Sequence, residues 1–307
     1  MSGTRFHGVI PPMLTAFKED GTFDWEGNEK LIDFLIGSRV HGIFILGSMG
    51  EFSRLDAQER KSFSEFAAEY INGRVPLLVG TGSCNTREAI DLTRHAKDVG
   101  ADGVLVVTPY YWGLTEENLY DYFAAIAQAV DIPVLIYHFP ALTGQQMSPQ
   151  LVKRLATDFA NIVGIKASVD SITYVRQLIL EVKAVKPEFS VLVGFDDHLF
   201  NTLAMGGDGA IPGTANFYPE VTVGLYESFV KGNPAESLKW HRTLLPLLEV
   251  YALDNPPIGV IKEACKQRGV GIETFVRQSA GSLNEERKKQ VSRILQKVKE
   301  ATAVSRQ

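Results

Sequence analysis

A lysine closes one short apolar run of this 307-residue sequence. The run Asn161–Lys166 reads Asn-Ile-Val-Gly-Ile-Lys, which is long enough for one buried strand and too short for a helix. Burying an unpaired ammonium group is costly and lowers its pKa. A partly desolvated lysine at a strand end can therefore lose its proton near neutral pH and attack a carbonyl carbon to form a Schiff base. The alternative is that Lys166 only marks where the strand meets water.

Other residues with useful chemistry also follow apolar runs. The glycine-flanked turn Gly47–Glu51 has backbone N–H groups that can hold a carboxylate or a phosphate. Tyr137 ends the run before Lys166, and its phenol can act as a general acid or base. Each has a structural alternative: a plain turn for the loop, and a buried tyrosine with one hydrogen-bond partner for Tyr137.

Two adjacent carboxylates and an aromatic cluster follow other runs. Asp196 and Asp197 can bind substrate hydroxyl groups or cap the following helix, and we expect one of the two to be a cap. The cluster Tyr110–Trp112 is equally suited to a site or to an oligomer interface.

The remaining reactive side chains do not predict a metal or a cofactor. His138 and His198 are not at metal-ligand spacing with carboxylates. Cys84 and Cys265 are far apart and form no Cys-x-x-Cys pattern, so neither a disulfide framework nor a zinc site is expected.

Eight short apolar runs, spaced by about 30 residues for most of the chain, are the elements that must position these groups. They are rich in Val, Ile and Leu without clean alternation, which is typical of parallel strands buried on both faces. The runs are Gly8–Leu14, Gly42–Leu46, Val75–Val79, Gly103–Val107, Val134–Tyr137, Ile162–Lys166, Ser190–Val193 and Gly209–Ile211. The segments between these runs have helical periodicity. One example is the apolar helix face predicted for Leu119, Phe123, Ile126 and Val130.

This alternation predicts an α/β protein, a (β/α)₈ TIM barrel. An open doubly wound sheet is the alternative, but no Gly-x-Gly-x-x-Gly follows the first strand. In such a barrel the active site lies at the C-terminal ends of the strands, where the candidate residues collect. This shared location is the main reason, from the residues alone, to favour a catalytic Lys166.

Helix signals complete the prediction. Asn85 with Glu88 predicts a capping box, and Ser148-Pro149 predicts a capped helix start. Three further helical stretches without strands, 234–253, 257–268 and 283–302, follow the last strand. We therefore expect a barrel over residues 1–230 and a C-terminal helical extension over 231–307, packed on the barrel.

Composition narrows the class of protein. Hydrophobic residues make up 45%, charged residues 22%, and the formal net charge is −5. There is no basic stripe for nucleic acid, no run of about 20 apolar residues for a membrane, and no apolar signal segment in Met1–Pro12. We expect a soluble, cytoplasmic protein with no nucleic-acid or membrane partner.

Together, the motifs resemble one known family. Gly47–Glu51, Thr108–Tyr111, Tyr137–Gly144 and Gly164–Lys166 resemble, in order, the motifs of the dihydrodipicolinate synthase / N-acetylneuraminate lyase family. The resemblance runs from about Gly8 to the C-terminal helices. It implies a pyruvate-handling class I aldolase on a (β/α)₈ barrel, usually a homotetramer built as a dimer of dimers.

The resemblance also implies catalytic roles. Lys166 matches the Schiff-base lysine, and Tyr137 matches the tyrosine that moves protons to and from the substrate. Ser48 matches the hydroxyl of its relay, and Tyr111 matches the tyrosine that is delivered across the dimer interface.

Substrate-binding positions follow from the same resemblance. Backbone N–H groups of Ser48 and Met49 would hold the pyruvate carboxylate. Gly194 and the carbonyl of Ile211 match positions that line the pyruvate pocket. Asp196 and Asp197 remain the candidates for distal hydroxyl groups.

Departures from the family pattern bear on the substrate. Leu142 stands where lysine-pathway synthases place an arginine for a second carboxylate, a contact that leucine cannot make. Met49 replaces a usual threonine, Gly213 replaces the serine of sialic acid lyases, and His138 replaces a common asparagine. Ala141-Leu142 looks like the sialic acid lyases and the 2-keto-3-deoxy sugar acid aldolases. The segments Gly194–Phe200 and Phe139–Gly144 together look most like the bacterial 2-keto-3-deoxygluconate aldolases.

We therefore predict an aldolase that cleaves a 2-keto-3-deoxy sugar acid to pyruvate and an aldehyde. Within the family, the alternatives are a 2-keto-3-deoxy sugar acid dehydratase, N-acetylneuraminate lyase and 4-hydroxy-tetrahydrodipicolinate synthase. A catalytically silent barrel that binds a sugar acid or a partner protein is the non-enzyme alternative.

Overall fold

Eight parallel strands form one sheet in the computed structural model, which describes residues 6–277 and 283–304. Their order is β1-β8-β7-β6-β5-β4-β3-β2. Apart from Val163 all strand residues are buried, which explains the runs of apolar residues without alternation. The strands are β1 Gly8–Val9, β2 Ile43–Ile45, β3 Leu77–Gly80, β4 Gly103–Val107, β5 Val134–His138, β6 Ile162–Ala167, β7 Ser190–Val193 and β8 Gly209–Ala210.

The chain after β1 closes the sheet into a barrel. A parallel bridge joins Pro12 to Phe44 of β2. In this bridge Met13 N donates to Phe44 O at 2.8 Å, and Phe44 N donates to Pro11 O at 3.0 Å. The (β/α)₈ barrel is therefore confirmed. The first strand is shorter than the predicted Gly8–Leu14, because prolines 11 and 12 have no N–H group to donate to a ladder.

Twelve α-helices surround or extend the barrel over the described residues. They are α1 Trp25–Gly37, α2 Ala57–Ile71, α3 Thr86–Asp98, α4 Glu116–Ala129, α5 Pro140–Thr143, α6 Pro149–Asp158, α7 Ile172–Val182, α8 Leu199–Ala204, α9 Pro219–Val230, α10 Pro234–Leu244, α11 Ile258–Gln267 and α12 Glu285–Val304. Four 3₁₀ segments lie at Phe52–Arg54, Asp196–His198, Gly213–Asn216 and Leu245–Ala252. None of these helices is long and apolar enough to cross a membrane.

The predicted helix starts are mostly confirmed. Ser148 caps α6, with Pro149 as its first residue. Asn85 caps α3, but the predicted capping box is wrong, because the carboxylate of Glu88 accepts a hydrogen bond from the Ser83 hydroxyl instead. Ser83 Oγ also accepts the Asn85 N–H at 3.1 Å, so Glu88 is not needed there.

The C-terminal helices differ from prediction at one point. The stretch 234–253 is not one α-helix, since α10 ends at Leu244 and a 3₁₀ segment follows. Pro246 explains the change, because proline has no N–H group to donate to the preceding turn. The division of the chain into a barrel over 1–230 and a helical extension over 231–307 remains a proposal. Residues 1–5, 278–282 and 305–307 lie outside the described residues.

Candidate active site

Lys166 lies near the C-terminal end of β6, with its side chain turned into the barrel. The residue is 4% exposed, and its Nζ lies 4.1 Å from the ring centre of Tyr137 and 5.1 Å from that of Phe44. Tyr137 is its direct partner on β5 in the parallel register. Two neighbouring strands therefore bring the amine and the phenol together.

Burial changes the chemistry of the Lys166 amine. Desolvation lowers its pKa to about 7, and the negative charge of Asp196 opposes part of this effect. A substantial fraction of the amine is then unprotonated at neutral pH. An amine in this state is a nucleophile for carbonyl carbons.

The phenol of Tyr137 has two hydroxyl partners. Its oxygen lies 3.2 Å from Ser48 Oγ. Burial raises the pKa of Tyr137 to about 12, while hydrogen bonds with Ser48 and Ser168 oppose the increase. Tyr137 is therefore protonated at neutral pH, and it can accept a proton only while it passes its own proton on.

Ser168 is a site residue that the sequence did not predict. Its hydroxyl contacts Tyr137, and its backbone N–H donates to His138 O at 2.8 Å. A signal was available, because residues two apart on a strand face the same side, so Ser168 follows Lys166 on that side.

The Gly47–Glu51 loop presents two backbone donors to the same cavity. Among the described residues, the N–H groups of Ser48 and Met49 donate to no acceptor. Both residues line the cavity beside Lys166. This geometry suits a carboxylate that lies against the loop.

A buried ion pair, which the sequence did not predict, ties this loop to α11. Lys262 Nζ lies 2.7 Å from Glu51 Oε1, and both side chains are 0% exposed. The second oxygen, Oε2, accepts from Arg54 Nη1 at 2.9 Å and from Arg277 N at 3.0 Å. Glu51 itself has a left-handed backbone, with φ of 59°. Lys262 of α11 and the backbone of Arg277 therefore fix the Glu51 carboxylate, although both residues are more than 200 positions away in the sequence.

The cavity at the C-terminal ends of the strands has a volume of about 530 Å³. Eight of the ten predicted site residues line it: Ser48, Met49, Tyr137, Leu142, Lys166, Gly194, Asp196 and Ile211. Gly194 is required by packing, since a Cβ there would overlap Ser168 Oγ. Leu142 lies on α5 and is 63% exposed, so it forms an apolar part of the rim.

Two predicted residues do not line this cavity. Tyr111 is 87% exposed, next to the exposed Trp112. Asp197 is partly exposed beside the cavity wall. The cavity of one chain thus forms without either side chain.

Asp196 is buried, and hydrogen bonds from Thr214, Tyr251 and Gly213 hold its carboxylate. Its Oδ1 accepts from the backbone N–H of Thr214 at 2.8 Å and from the Thr214 hydroxyl. Its Oδ2 accepts from the Tyr251 hydroxyl at 3.1 Å. Burial raises the pKa of Asp196, and the hydrogen bonds partly compensate.

The expected helix cap by Asp196 or Asp197 is wrong. Neither α8 nor the 3₁₀ segment before it has a side-chain cap. The 3₁₀ segment leads directly into α8, because His198 already has helical backbone angles, and this leaves no separate helix start to cap.

His138 faces away from the cavity. It follows Tyr137 on β5, so its ring points to the helix layer, 5.4 Å from the ring of Tyr174. Burial lowers the pKa of His138 to about 4, so the ring is neutral at pH 7. The described residues contain no group of three or more His, Cys, Asp or Glu side chains that could hold a metal.

A closed parallel barrel whose strand ends surround a buried amine is an arrangement that can act on carbonyl compounds. The chain belongs to the dihydrodipicolinate synthetase family, whose model matches residues 5–298. It is accordingly a pyruvate-dependent lyase.

Three comparisons place the chain within this family. It is 48% identical to YagE of Escherichia coli K12, which is provisionally assigned as a 2-dehydro-3-deoxy-D-gluconate aldolase, over 96% of this chain and 97% of that protein. It is 43% identical to YjhH of the same organism, provisionally a 2-dehydro-3-deoxy-D-pentonate aldolase, over 95% and 97%. The crystal structure of YagE in complex with pyruvate matches with a TM-score of 0.95 over 96% of this chain and 99% of that chain.

Proposed function

We propose that this protein is a class I aldolase that cleaves a 2-keto-3-deoxy sugar acid, of the 2-keto-3-deoxygluconate type, to pyruvate and an aldehyde. The observation that carries the proposal is the buried amine of Lys166 beside the Tyr137–Ser48 pair in one cavity. The provisional names of YagE and YjhH support the substrate class.

In this mechanism the Lys166 amine attacks the C2 ketone, and loss of water gives an iminium ion. The iminium accepts the electron pair of the C3–C4 bond as that bond breaks. The aldehyde leaves, and an enamine of pyruvate remains on the lysine. Protonation at C3 and hydrolysis by water then release pyruvate and restore the amine.

Bond cleavage requires removal of the C4 hydroxyl proton, and in this proposal Tyr137 accepts it. Because its phenol is protonated, it must pass its own proton to Ser48, 3.2 Å away. The exposed Tyr111 of the partner subunit would continue this relay, as the family resemblance implies.

The substrate carboxylate would accept hydrogen bonds from the backbone N–H groups of Ser48 and Met49. Gly194 and Ile211 would line the pyruvate half of the substrate, as both face the cavity. Leu142 at the rim offers no donor for a second carboxylate, which favours an uncharged distal end.

We further propose a homotetramer built as a dimer of dimers, and a cytoplasmic location. Tyr111 and Trp112, exposed side by side with ring centres 5.4 Å apart, support an intersubunit contact there. Exposed aromatic residues are typical of interface cores.

Borohydride trapping tests the mechanism. The protein is incubated with pyruvate and reduced, and peptide mass mapping should find the adduct on Lys166. Lys166→Ala should lose it. Lys186→Met is the matched control, because burial also lowers the pKa of Lys186 but its amine binds carbonyl groups outside the cavity. An adduct that persists in Lys166→Ala would contradict the assignment.

Product analysis tests the reaction. With 2-keto-3-deoxygluconate as substrate, we expect pyruvate and glyceraldehyde in equal amounts. A dehydrated keto acid without aldehyde would identify a dehydratase instead, while the lysine adduct would form in both cases.

A further inference from the structure

The C-terminal helices contribute a hydroxyl group to the cavity wall. Tyr251 belongs to the 3₁₀ segment Leu245–Ala252, after the barrel strands. It lines the same cavity as Lys166, together with Asp196 and Gly213. Its hydroxyl donates to Asp196 Oδ2 at 3.1 Å.

Gly213 makes room for this hydroxyl. A Cβ atom at position 213 would collide with the Tyr251 oxygen, whereas the next nearest Tyr251 atom would lie 3.3 Å from it. Gly213 and Tyr251 are therefore mutually dependent: a side chain at position 213 would push the hydroxyl out of its place. This gives the Gly213 departure from the sialic acid lyase pattern a physical reason.

The hydrogen bonds that Asp196 and Tyr251 already make determine which ligand groups can bind beside them. Asp196 Oδ1 already accepts two hydrogen bonds from Thr214, and Oδ2 accepts one from Tyr251. The backbone N–H of Gly213 also interacts with this carboxylate. The Tyr251 proton is committed to Asp196, so its oxygen can accept but not donate. A ligand group here must therefore donate hydrogen bonds. Hydroxyl groups do so, and carboxylates and phosphates do not.

We propose that Tyr251 is a specificity-determining residue, which together with Asp196 binds a hydroxyl group on the aldehyde half of the substrate. The proposal rests on the aldolase function proposed above. The substrate class that follows is a polyhydroxy aldehyde, since an aldehyde ending in an anionic group would meet the Asp196 carboxylate. Pyruvate itself does not use this subsite.

The test compares two acceptor aldehydes of equal carbon number in the aldol addition to pyruvate: glyceraldehyde, which carries two hydroxyl groups, and propanal, which carries none. Tyr251→Phe removes only the enzyme hydroxyl. We expect kcat/KM for glyceraldehyde to fall about 3- to 10-fold, the effect of one neutral hydrogen bond. The value for propanal should change less than about twofold, and pyruvate trapping on Lys166 should be unchanged.

Tyr226→Phe is the matched control. The Tyr226 phenol is also buried and hydrogen-bonded, at 3.1 Å from His7 Nδ1, but it does not line the cavity. Tyr226→Phe should leave the ratio of kcat/KM for the two aldehydes as in the wild type. Gly213→Ala displaces the Tyr251 hydroxyl without removing it. It should therefore also lower kcat/KM for glyceraldehyde more than for propanal. This second variant decides the test if Tyr251→Phe does not fold.

Equal losses for both aldehydes, or no loss for either, would overturn the role of Tyr251. Failure of the proposed function looks different, because the wild type itself would then form no lysine adduct and add pyruvate to neither aldehyde.

Discussion

The buried amine of Lys166 makes Schiff-base formation dependent on pH. Burial lowers its pKa from an ordinary 10.5 to about 7. About one half of the molecules therefore hold an unprotonated amine at pH 7, against roughly one in three thousand for an ordinary lysine. We expect the rate of adduct formation with pyruvate to be constant above the pKa and to fall about tenfold for each pH unit below it.

Asp196→Asn tests the physical cause of that value. The Asp196 carboxylate raises the pKa of Lys166 and opposes the larger effect of burial. Its removal leaves burial unopposed. The pKa should fall below the wild-type value, and adduct formation in the variant should persist to lower pH.

The assay measures initial rates of borohydride-trapped adduct between about pH 5 and pH 9, where the wild-type transition lies. Asp170→Asn is the matched control, because Asp170 is exposed and its carboxylate lies against His198 rather than in the cavity. A wild-type transition at the ordinary lysine value, or a shift to higher pH in Asp196→Asn, would refute the reasoning.

Three other variants have defined outcomes. Lys262→Met should lower the free energy of unfolding by about 3 kcal/mol, because it leaves Glu51 buried without its ammonium partner. It should also raise KM for pyruvate. Denaturant unfolding measures the first effect, and steady-state kinetics measures the second. Tyr137→Phe should lower kcat for cleavage by about 10²- to 10⁴-fold, the usual contribution of a positioned acid–base group, in a coupled pyruvate assay. Leu142→Arg should improve kcat/KM for an aldehyde with a distal carboxylate about tenfold, since it adds a cationic donor at the rim, as measured against propanal.

Each of these results has a contrary outcome. A loss below about 1 kcal/mol in Lys262→Met would mean that Arg54 and the Arg277 backbone alone hold Glu51. Unchanged cleavage in Tyr137→Phe would exclude its phenol from the proton relay. No preference for the anionic aldehyde in Leu142→Arg would mean that position 142 lies beyond the substrate.

The barrel and part of its site were predictable from local pattern. A strand buried on both faces must be apolar along its whole length, so the eight runs are visible without any tertiary information. Once the strands are ordered, barrel topology brings Lys166, Tyr137 and Ser48 to one end. A competing local contact can make such a prediction wrong. The predicted capping box of α3 does not form, because the Glu88 carboxylate accepts a hydrogen bond from the Ser83 hydroxyl.

Contacts between segments that are distant in sequence depended on the tertiary structure. Glu51 and Lys262 are separated by 211 residues, and Asp196 and Tyr251 by 55. No periodicity or motif links such positions, because their proximity results from how the C-terminal helices pack on the barrel. The pKa of Lys166 belongs to the same category, since desolvation is a property of the surrounding volume rather than of the neighbouring residues in the chain.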